Sequence, residues 1–310
     1  MTWAWLFPGQ GTQSVGMGQA LAQESAAARE VFERADAALG FSISRLCFEG
    51  PESELVRTEI TQPAIVTVSL AVLSALKERA PELAPPAYAA GHSLGEYSAL
   101  VAAGALSLEQ AVRLVHLRGK AMQSAVPEGR GAMAAVMGGD PSQVEALCAE
   151  AGEVSPANFN APGQIVIAGT REGVARAAEL ASARKLKLIP LKVSAPFHCS
   201  LMEPAARQVE AALGELELSP LTFPVVSNVE AAPNADMGRI PDLLVRQVDG
   251  PVRWEQSVRW LSEQGVTQAL ELGPGKVLAG LVRKTAPGLK VCSVSDPSGL
   301  QAALEALQAG

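Results

Sequence analysis

The chain reads as an α/β protein in which a large α/β domain is interrupted by a small inserted domain of ferredoxin-like order. Three observations predict this. Its 310 residues, at roughly 150 per domain, allow two domains or one domain carrying an insertion. Short apolar strand candidates alternate with helix-period segments toward both ends of the chain. Between them, over about 65 residues, the order becomes strand, helix, strand, strand, helix, strand, a split βαβ unit. Residues 1–127 and 196–310 would form the large domain, and 128–195 the small one.

Ala4-Trp5-Leu6-Phe7 is an apolar run broken by Pro8-Gly9-Gln10-Gly11, a buried strand leading into a tight loop. Helical spacing runs from Met17 to Leu39, and Pro63 to Leu76 reads as a more buried helix. Ala87 to Ala90 is a strand candidate. It meets Gly91-His92-Ser93-Leu94-Gly95 and a helix over Glu96 to Ala103. Ser107, followed by Glu109 and Gln110, starts a helix through Met122. In the small domain, strands are expected at Ala132–Met137, Val154–Asn158, Gln164–Gly169 and Leu186–Val193, with helices at Pro141–Ala151 and Arg171–Arg184. Thereafter Glu203 opens a helix, Leu221–Val226 and Thr267–Leu272 read as strands, and Gly273-Pro274-Gly275 leads into a helix at Lys276. Asp242 and Asp249 are placed in a polar loop.

Composition narrows the function. Hydrophobic residues at 48% and charged ones at 18% exclude disorder as the main state. A net charge of -7 gives no global basic field to hold a nucleic-acid backbone. The segment Ile60–Leu76 is read as too short and too polar to span a bilayer. The start, Met1 to Pro8, has no basic region and no signal-length apolar stretch, so a cytoplasmic protein is expected. Cys47, Cys148, Cys199 and Cys292 are scattered, which predicts reduced thiols and no zinc site.

Gly91-x-Ser93-x-Gly95 matches a nucleophile elbow, in which a serine sits on a strained strand-to-helix turn and needs small residues two before and two after it. The alternative is an ordinary glycine-flanked turn; the strand and helix on either side favour the elbow. Ser93 would then stand at a helix N-terminus, with the Leu94 amide aimed where an oxyanion forms. A serine needs a base, and three histidines are available. His92 adjoins Ser93 and should point away from it, and His116 lies in an apolar helix. His198, on the loop returning from the small domain, remains by elimination. No acid stands out as a third member among Glu203, Asp242 and Asp249, so a carbonyl is left as the orienting group.

In the helix over 108–122, Ala111, Val115, Arg118 and Met122 share one otherwise apolar face. Arg118 either snorkels outward or faces an interior cleft where it needs an anionic partner such as a carboxylate.

Phe7-Pro8-Gly9-Gln10-Gly11-Thr12-Gln13, Gly91-His92-Ser93-Leu94-Gly95-Glu96, Arg118 and Phe197-His198 together resemble the malonyl-CoA:acyl carrier protein transacylase family. Asn158-x-Asn160-x-Pro162-Gly163-Gln164 and Glu271-Leu272-Gly273-Pro274-Gly275 extend the likeness over nearly the whole chain. The resemblance implies an α/β-hydrolase-like large domain with a ferredoxin-like insert. It implies Ser93 as nucleophile, His198 as base and the amides of Gln10 and Leu94 as oxyanion hole. Arg118 would pair with the malonyl carboxylate, the Gln247 carbonyl would orient the histidine, and Asn160 and Phe197 would complete the substrate site. Thr12 departs mildly from the family's more usual Ser, and Phe197 is similar to malonyl-selective members.

The activity so implied is malonyl transfer from malonyl-CoA to the phosphopantetheine thiol of acyl carrier protein through a malonyl-serine, for fatty acid synthesis, with no cofactor. Partners would be malonyl-CoA and the carrier, without nucleic acid or membrane. The alternatives are a serine (thio)esterase or a polyketide-pathway acyltransferase. An acidic carrier would need a basic patch on this acidic chain; Arg184, Lys185, Lys187 and Lys192 form one candidate, and Lys276, Arg283 and Lys284 another.

Overall fold

A computed structural model describes residues 2–191, 193 and 195–308. In chain order these form β1 (Trp3–Phe7), α1 (Gln19–Glu24), α2 (Ala26–Leu39), α3 (Ile43–Glu49), α4 (Glu52–Leu55), α5 (Thr58–Arg79), β2 (Tyr88–Gly91), α6 (Gly95–Ala102) and α7 (Leu108–Ser124). A second group follows: β3 (Gly131–Met137), α8 (Pro141–Ala151), β4 (Val154–Ala161), β5 (Gln164–Thr170), α9 (Arg171–Ala183) and β6 (Lys187–Pro190). The chain continues with α10 (Glu203–Gly214), β7 (Val225–Val226), β8 (Pro233–Asn234), α11 (Ile240–Asp249), α12 (Trp254–Glu263), β9 (Gln268–Leu272), α13 (Val277–Thr285), β10 (Lys290–Val294) and α14 (Pro297–Gln308).

Two sheets organise the molecule. The larger has the order β10-β9-β1-β2-β7-β8, parallel throughout except for the β7–β8 pair. Both of its faces are covered, which is why β1 is a continuous apolar run rather than an alternating one. Trp5 and Phe7 point into the core beneath α2, α5 and α7, whereas Ala4 and Leu6 meet Trp254, Val258 and Leu278 on the other face. The smaller sheet, order β4-β5-β3-β6, is antiparallel throughout and packs α8 and α9 against one face over Val136, Leu147, Ile167 and Ala177. Val252, which shares the apolar cluster of Ala4 and Leu6, is bonded to β4: it accepts from the Phe159 amide at 2.9 Å and donates to the Ala157 carbonyl at 2.8 Å.

Helix α5 lies at the centre of the larger core. At 22 residues, with an 18-residue window of mean hydropathy 1.5, it is by length and composition long and apolar enough to cross a membrane, which corrects the reading of 60–76 as too short and too polar; here 83% of that window is buried within the protein. Pro63 sits inside it without an N–H, so the Glu59 carbonyl loses its intrahelical donor. His116 of α7 supplies the replacement, donating Nδ1–H to Glu59 O at 2.7 Å. Helix α7 comes this close because of Gly119, where a Cβ would lie 2.7 Å from Glu59 Cα. The neighbouring Arg118 is thereby brought against the first turns of α5.

Several expected elements differ. The segment Met17–Leu39 is two helices, broken at Ser25, whose side chain accepts from the Ala28 amide at 3.0 Å and caps α2. The strand expected over 186–193 ends at Pro190, and Lys192 lies outside the described residues. The strand expected at 221–226 contracts to Val225–Val226. Asp242 and Asp249 lie on α11 and not in a loop.

Candidate active site

Strand β2 delivers Ser93 to the turn before α6 with φ 48°, the left-handed region that a side chain rarely occupies. The flanking glycines permit the turn. A Cβ on Gly91 would fall 1.9 Å from the Gly95 carbonyl carbon, and one on Gly95 would fall 2.1 Å from Phe7 O. Asn228 clamps the turn from below, donating Nδ2–H to Gly91 O and accepting from the Ser93 amide, each at 2.7 Å.

His198, also at positive φ (60°), places Nε2 2.7 Å from Ser93 Oγ. Its Nδ1 lies 2.8 Å from the Gln247 carbonyl, which can only accept. Nδ1 therefore carries the proton, and Nε2 is left as the acceptor for the serine hydroxyl. Burial and the charge of Arg118 push the imidazole pKa down to about 3, so the ring is neutral at pH 7. His92 turns away from the serine, packs on Trp254 and shares a 2.7 Å hydrogen bond with Asn160 Oδ1.

Arg118 is buried, with 1% of its surface exposed. Nη1 donates to Gln62 Oε1 at 2.9 Å, and Nη2 to Gln247 Oε1 at 3.0 Å and to Ser93 Oγ at 3.3 Å. The guanidinium also lies over the Tyr97 ring at 5.4 Å. Its carbonyl and hydroxyl partners are neutral, and among the described residues it makes no salt bridge; its Nε has no partner. A buried cation held by neutral groups favours an anion arriving from outside.

A cavity of about 460 Å³ opens onto these groups, lined among others by Gln10, Ser93, Leu94, Arg118, Phe197 and His198. The amides of Gln10 and Leu94 have no acceptor among the described residues, which leaves both free for a ligand oxygen. Six of the residues singled out in the sequence thus converge. Gln247 is fully buried behind them, touching His198, Arg118 and Ser93 at once. Asn160 shares its Oδ1 with His92, and Asn158, two positions earlier on β4, lines the cavity. Gln62, Glu96 and Asn228 were not expected. Each is a polar residue in buried surroundings, and that contrast was their signal in the sequence. Among the described residues no group of three or more His, Cys, Asp or Glu could hold a metal ion.

The arrangement is a serine hydroxyl on a neutral imidazole beside two free amides and a guanidinium without a salt bridge, suited to acyl transfer from an anionic acyl donor. Residues 4–296 match the family of the acyl transferase domain. The chain belongs to the acyl transferase family. Among curated acyl transferases, it is 46% identical over 305 residues to the malonyl CoA-acyl carrier protein transacylase of Salmonella typhimurium, covering 97% of this chain and 98% of that one. It is 47% identical over 310 residues to the enzyme of the same name from Bacillus subtilis, covering 98% and 97%. Among solved structures, the acyl-carrier-protein S-malonyltransferase of Burkholderia pseudomallei superposes with TM-score 0.95 at 46% identity, over 98% of this chain and all of that one. A malonyl-transacylase solved in complex with a holo acyl carrier protein of a type II polyketide synthase gives 0.95 at 44% identity, over 99% and 100%.

Proposed function

We propose that this acyl transferase moves a malonyl group from malonyl-CoA to the phosphopantetheine thiol of an acyl carrier protein, for fatty acid synthesis. The observation that carries the reading is Arg118, a buried guanidinium without an acidic partner whose Nη2 lies 3.3 Å from Ser93 Oγ. Malonyl places its free carboxylate two carbons from the thioester carbonyl, within reach of a guanidinium beside the nucleophile. A bidentate pair there supplies the missing anion.

His198 Nε2 takes the Ser93 proton as Oγ attacks the thioester carbon. The oxyanion rests on the Gln10 and Leu94 amides. The C–S bond breaks, His198 returns the proton to the CoA sulfur, and malonyl-Ser93 remains. The carrier thiol then gives its proton to His198 and attacks the ester carbonyl. Ser93 Oγ leaves and is reprotonated. Covalent storage between two thiols makes the kinetics ping-pong. No step needs a cofactor.

The same reading treats 1–127 and 196–310 as an α/β-hydrolase-like domain and 128–195 as a ferredoxin-like insert. The strand order of the smaller sheet and its β3-α8-β4-β5-α9-β6 sequence support the second assignment. It places the enzyme in the cytoplasm. Of the two basic patches, Arg184 is already paired with Glu150, which favours the surface around Lys276, Arg283 and Lys284 for carrier docking.

Intact-mass measurement after brief exposure to malonyl-CoA tests the reading. A malonyl adduct on the wild type, absent from Ser93→Ala, that moves to added holo carrier protein is the expected result. An adduct lost to free malonate at the same rate with or without carrier would make the enzyme a thioesterase, and no adduct would refute the role of Ser93. Comparing carriers of fatty acid and polyketide systems would decide the pathway.

A further inference from the structure

Behind the serine lies a buried carboxylate that no step above uses. Glu96, in the first turn of α6, is 3% exposed. Its Oε2 accepts from the Asn228 amide at 3.1 Å and from Gln247 Nε2 at 2.7 Å. Burying a carboxylate this deeply is costly, and a leucine would pack there at far less expense. The two partners it gathers are the ones that hold the site. Asn228 clamps the serine turn, and Gln247 meets Arg118 through Oε1 and His198 through its carbonyl.

A glutamine carboxamide has two chemically opposite ends of nearly the same shape. If Gln247 turned over, its NH2 would face the guanidinium, donor against donor, and its oxygen would face the Ser93 carbonyl, acceptor against acceptor. The Ser93 carbonyl, accepting from Nε2 at 2.9 Å, opposes this with one neutral hydrogen bond. Glu96 opposes it with a second, shorter one at 2.7 Å. We infer that Glu96 is a positioning residue that fixes the orientation of the Gln247 carboxamide, so that Oε1 always faces Arg118 and the guanidinium is held where it reads the acyl carboxylate. The inference rests on the assignment of Arg118 to that carboxylate. It predicts that Glu96 acts on the choice of acyl group and not only on the rate.

The experiment compares kcat/KM for malonyl-CoA and acetyl-CoA in wild type, Arg118→Ala, Glu96→Ala, Glu96→Asp and Glu96→Gln, with Gln247→Ala alone and combined with Glu96→Ala. Leaving the buried Gln247 amide donor without this partner predicts that Glu96→Ala lowers the malonyl-to-acetyl ratio by about tenfold. Glu96→Gln keeps an acceptor oxygen in place and should restore most of the ratio. Glu96→Asp keeps the charge but withdraws the oxygen by one methylene, and should lose the ratio while remaining folded, so the test stands even if the alanine variant does not fold. In the double variant, Glu96→Ala should lower the ratio no further than Gln247→Ala alone. Equal losses for both acyl donors, an unchanged ratio in Glu96→Asp, or additive losses in the double variant would overturn the inference. An unchanged ratio in Arg118→Ala would instead overturn the assignment on which it stands.

Discussion

Replacing Arg118 with alanine separates recognition of the acyl group from chemistry at the serine. The guanidinium is 1% exposed, and its Nη2 reaches Ser93 Oγ at 3.3 Å, so a malonyl carboxylate bound to it is desolvated with it. Truncating one partner of such a buried pair costs about 2–5 kcal/mol, much of it for the charge left behind. At about 1.4 kcal/mol per factor of ten, kcat/KM for malonyl-CoA should fall by about 30-fold to several thousand-fold. Acetyl-CoA brings no carboxylate, and its transfer should be unchanged or faster, since a buried cation without a salt bridge has left the site. Stability responds less: the change strands the acceptors Gln62 Oε1 and Gln247 Oε1 but also removes a buried unpaired charge. The assay is initial-rate transfer to holo carrier from both donors, with thermal melting alongside. A malonyl-to-acetyl ratio equal to that of the wild type would refute the argument.

Gly95→Ala sets a Cβ 2.1 Å from Phe7 O and 2.9 Å from Pro8 O, so β1 or the elbow must shift; a loss of about 3 kcal/mol or more should appear as a lowered melting temperature together with reduced acylation of Ser93. Burial lifts the Glu96 carboxyl from its ordinary 4.5 to about 7. Because the folded value is the higher one, its contribution to stability is present below pH 4.5 and is lost as pH rises from there through 7. Denaturant titrations of Glu96→Gln across that window should show a flatter pH dependence than the wild type, and parallel curves would remove Glu96 as the source.

The sequence showed some parts of this site plainly and hid others, and distance along the chain separates the two. Gly91, Ser93 and Gly95 were legible because the elbow is a local device whose steric needs fall within five residues. Arg118 was legible as a charge on an apolar helical face, although only the structure decides that it points inward. The Gln247 carbonyl could not be read from residue types, because every residue carries one; it came from resemblance alone. Its helix was readable: Ile240, Leu243, Leu244, Gln247 and Val248 follow a helical stripe behind Pro241, with a glutamine where an apolar residue belongs. The acidic Asp242 and Asp249 obscured it. Glu96 and Asn228 are partners separated by 132 positions, and no local rule joins them. Asn158 and Asn160 are hard to tell apart for the related reason that neighbours on one strand differ in what they meet: Asn158 lines the cavity and Asn160 meets His92.

Substrate charge also bears on how the base works without an acid behind it. Among the described residues no carboxylate stands behind the His198 ring, which leans on a neutral carbonyl that favours the imidazolium less than burial and Arg118 oppose it. Arg118 opposes it, since its Nη2 lies 3.3 Å from Ser93 Oγ, itself 2.7 Å from Nε2. Guanidinium and ring nitrogen are therefore at most about 6 Å apart, and at an effective dielectric of about 20 their repulsion is about 3 kcal/mol, roughly 2 in pKa. On the proposed reading, a malonyl carboxylate on Arg118 would cancel most of that field at the moment the base is needed. An acetyl thioester would leave it in place, so the site should discriminate against uncharged acyl groups in the proton transfer as well as in binding. NMR titration of His198 in the Ser93→Ala protein checks this. The imidazole should titrate near 3 when free and distinctly higher with malonyl-CoA bound, the sign following from loss of a neighbouring positive charge. Arg118→Gln should raise the free value by a similar amount and make it insensitive to malonyl-CoA. A His198 titration that ignores both the bound acyl group and the arginine would leave burial as its sole cause and dissolve the link between recognition and basicity.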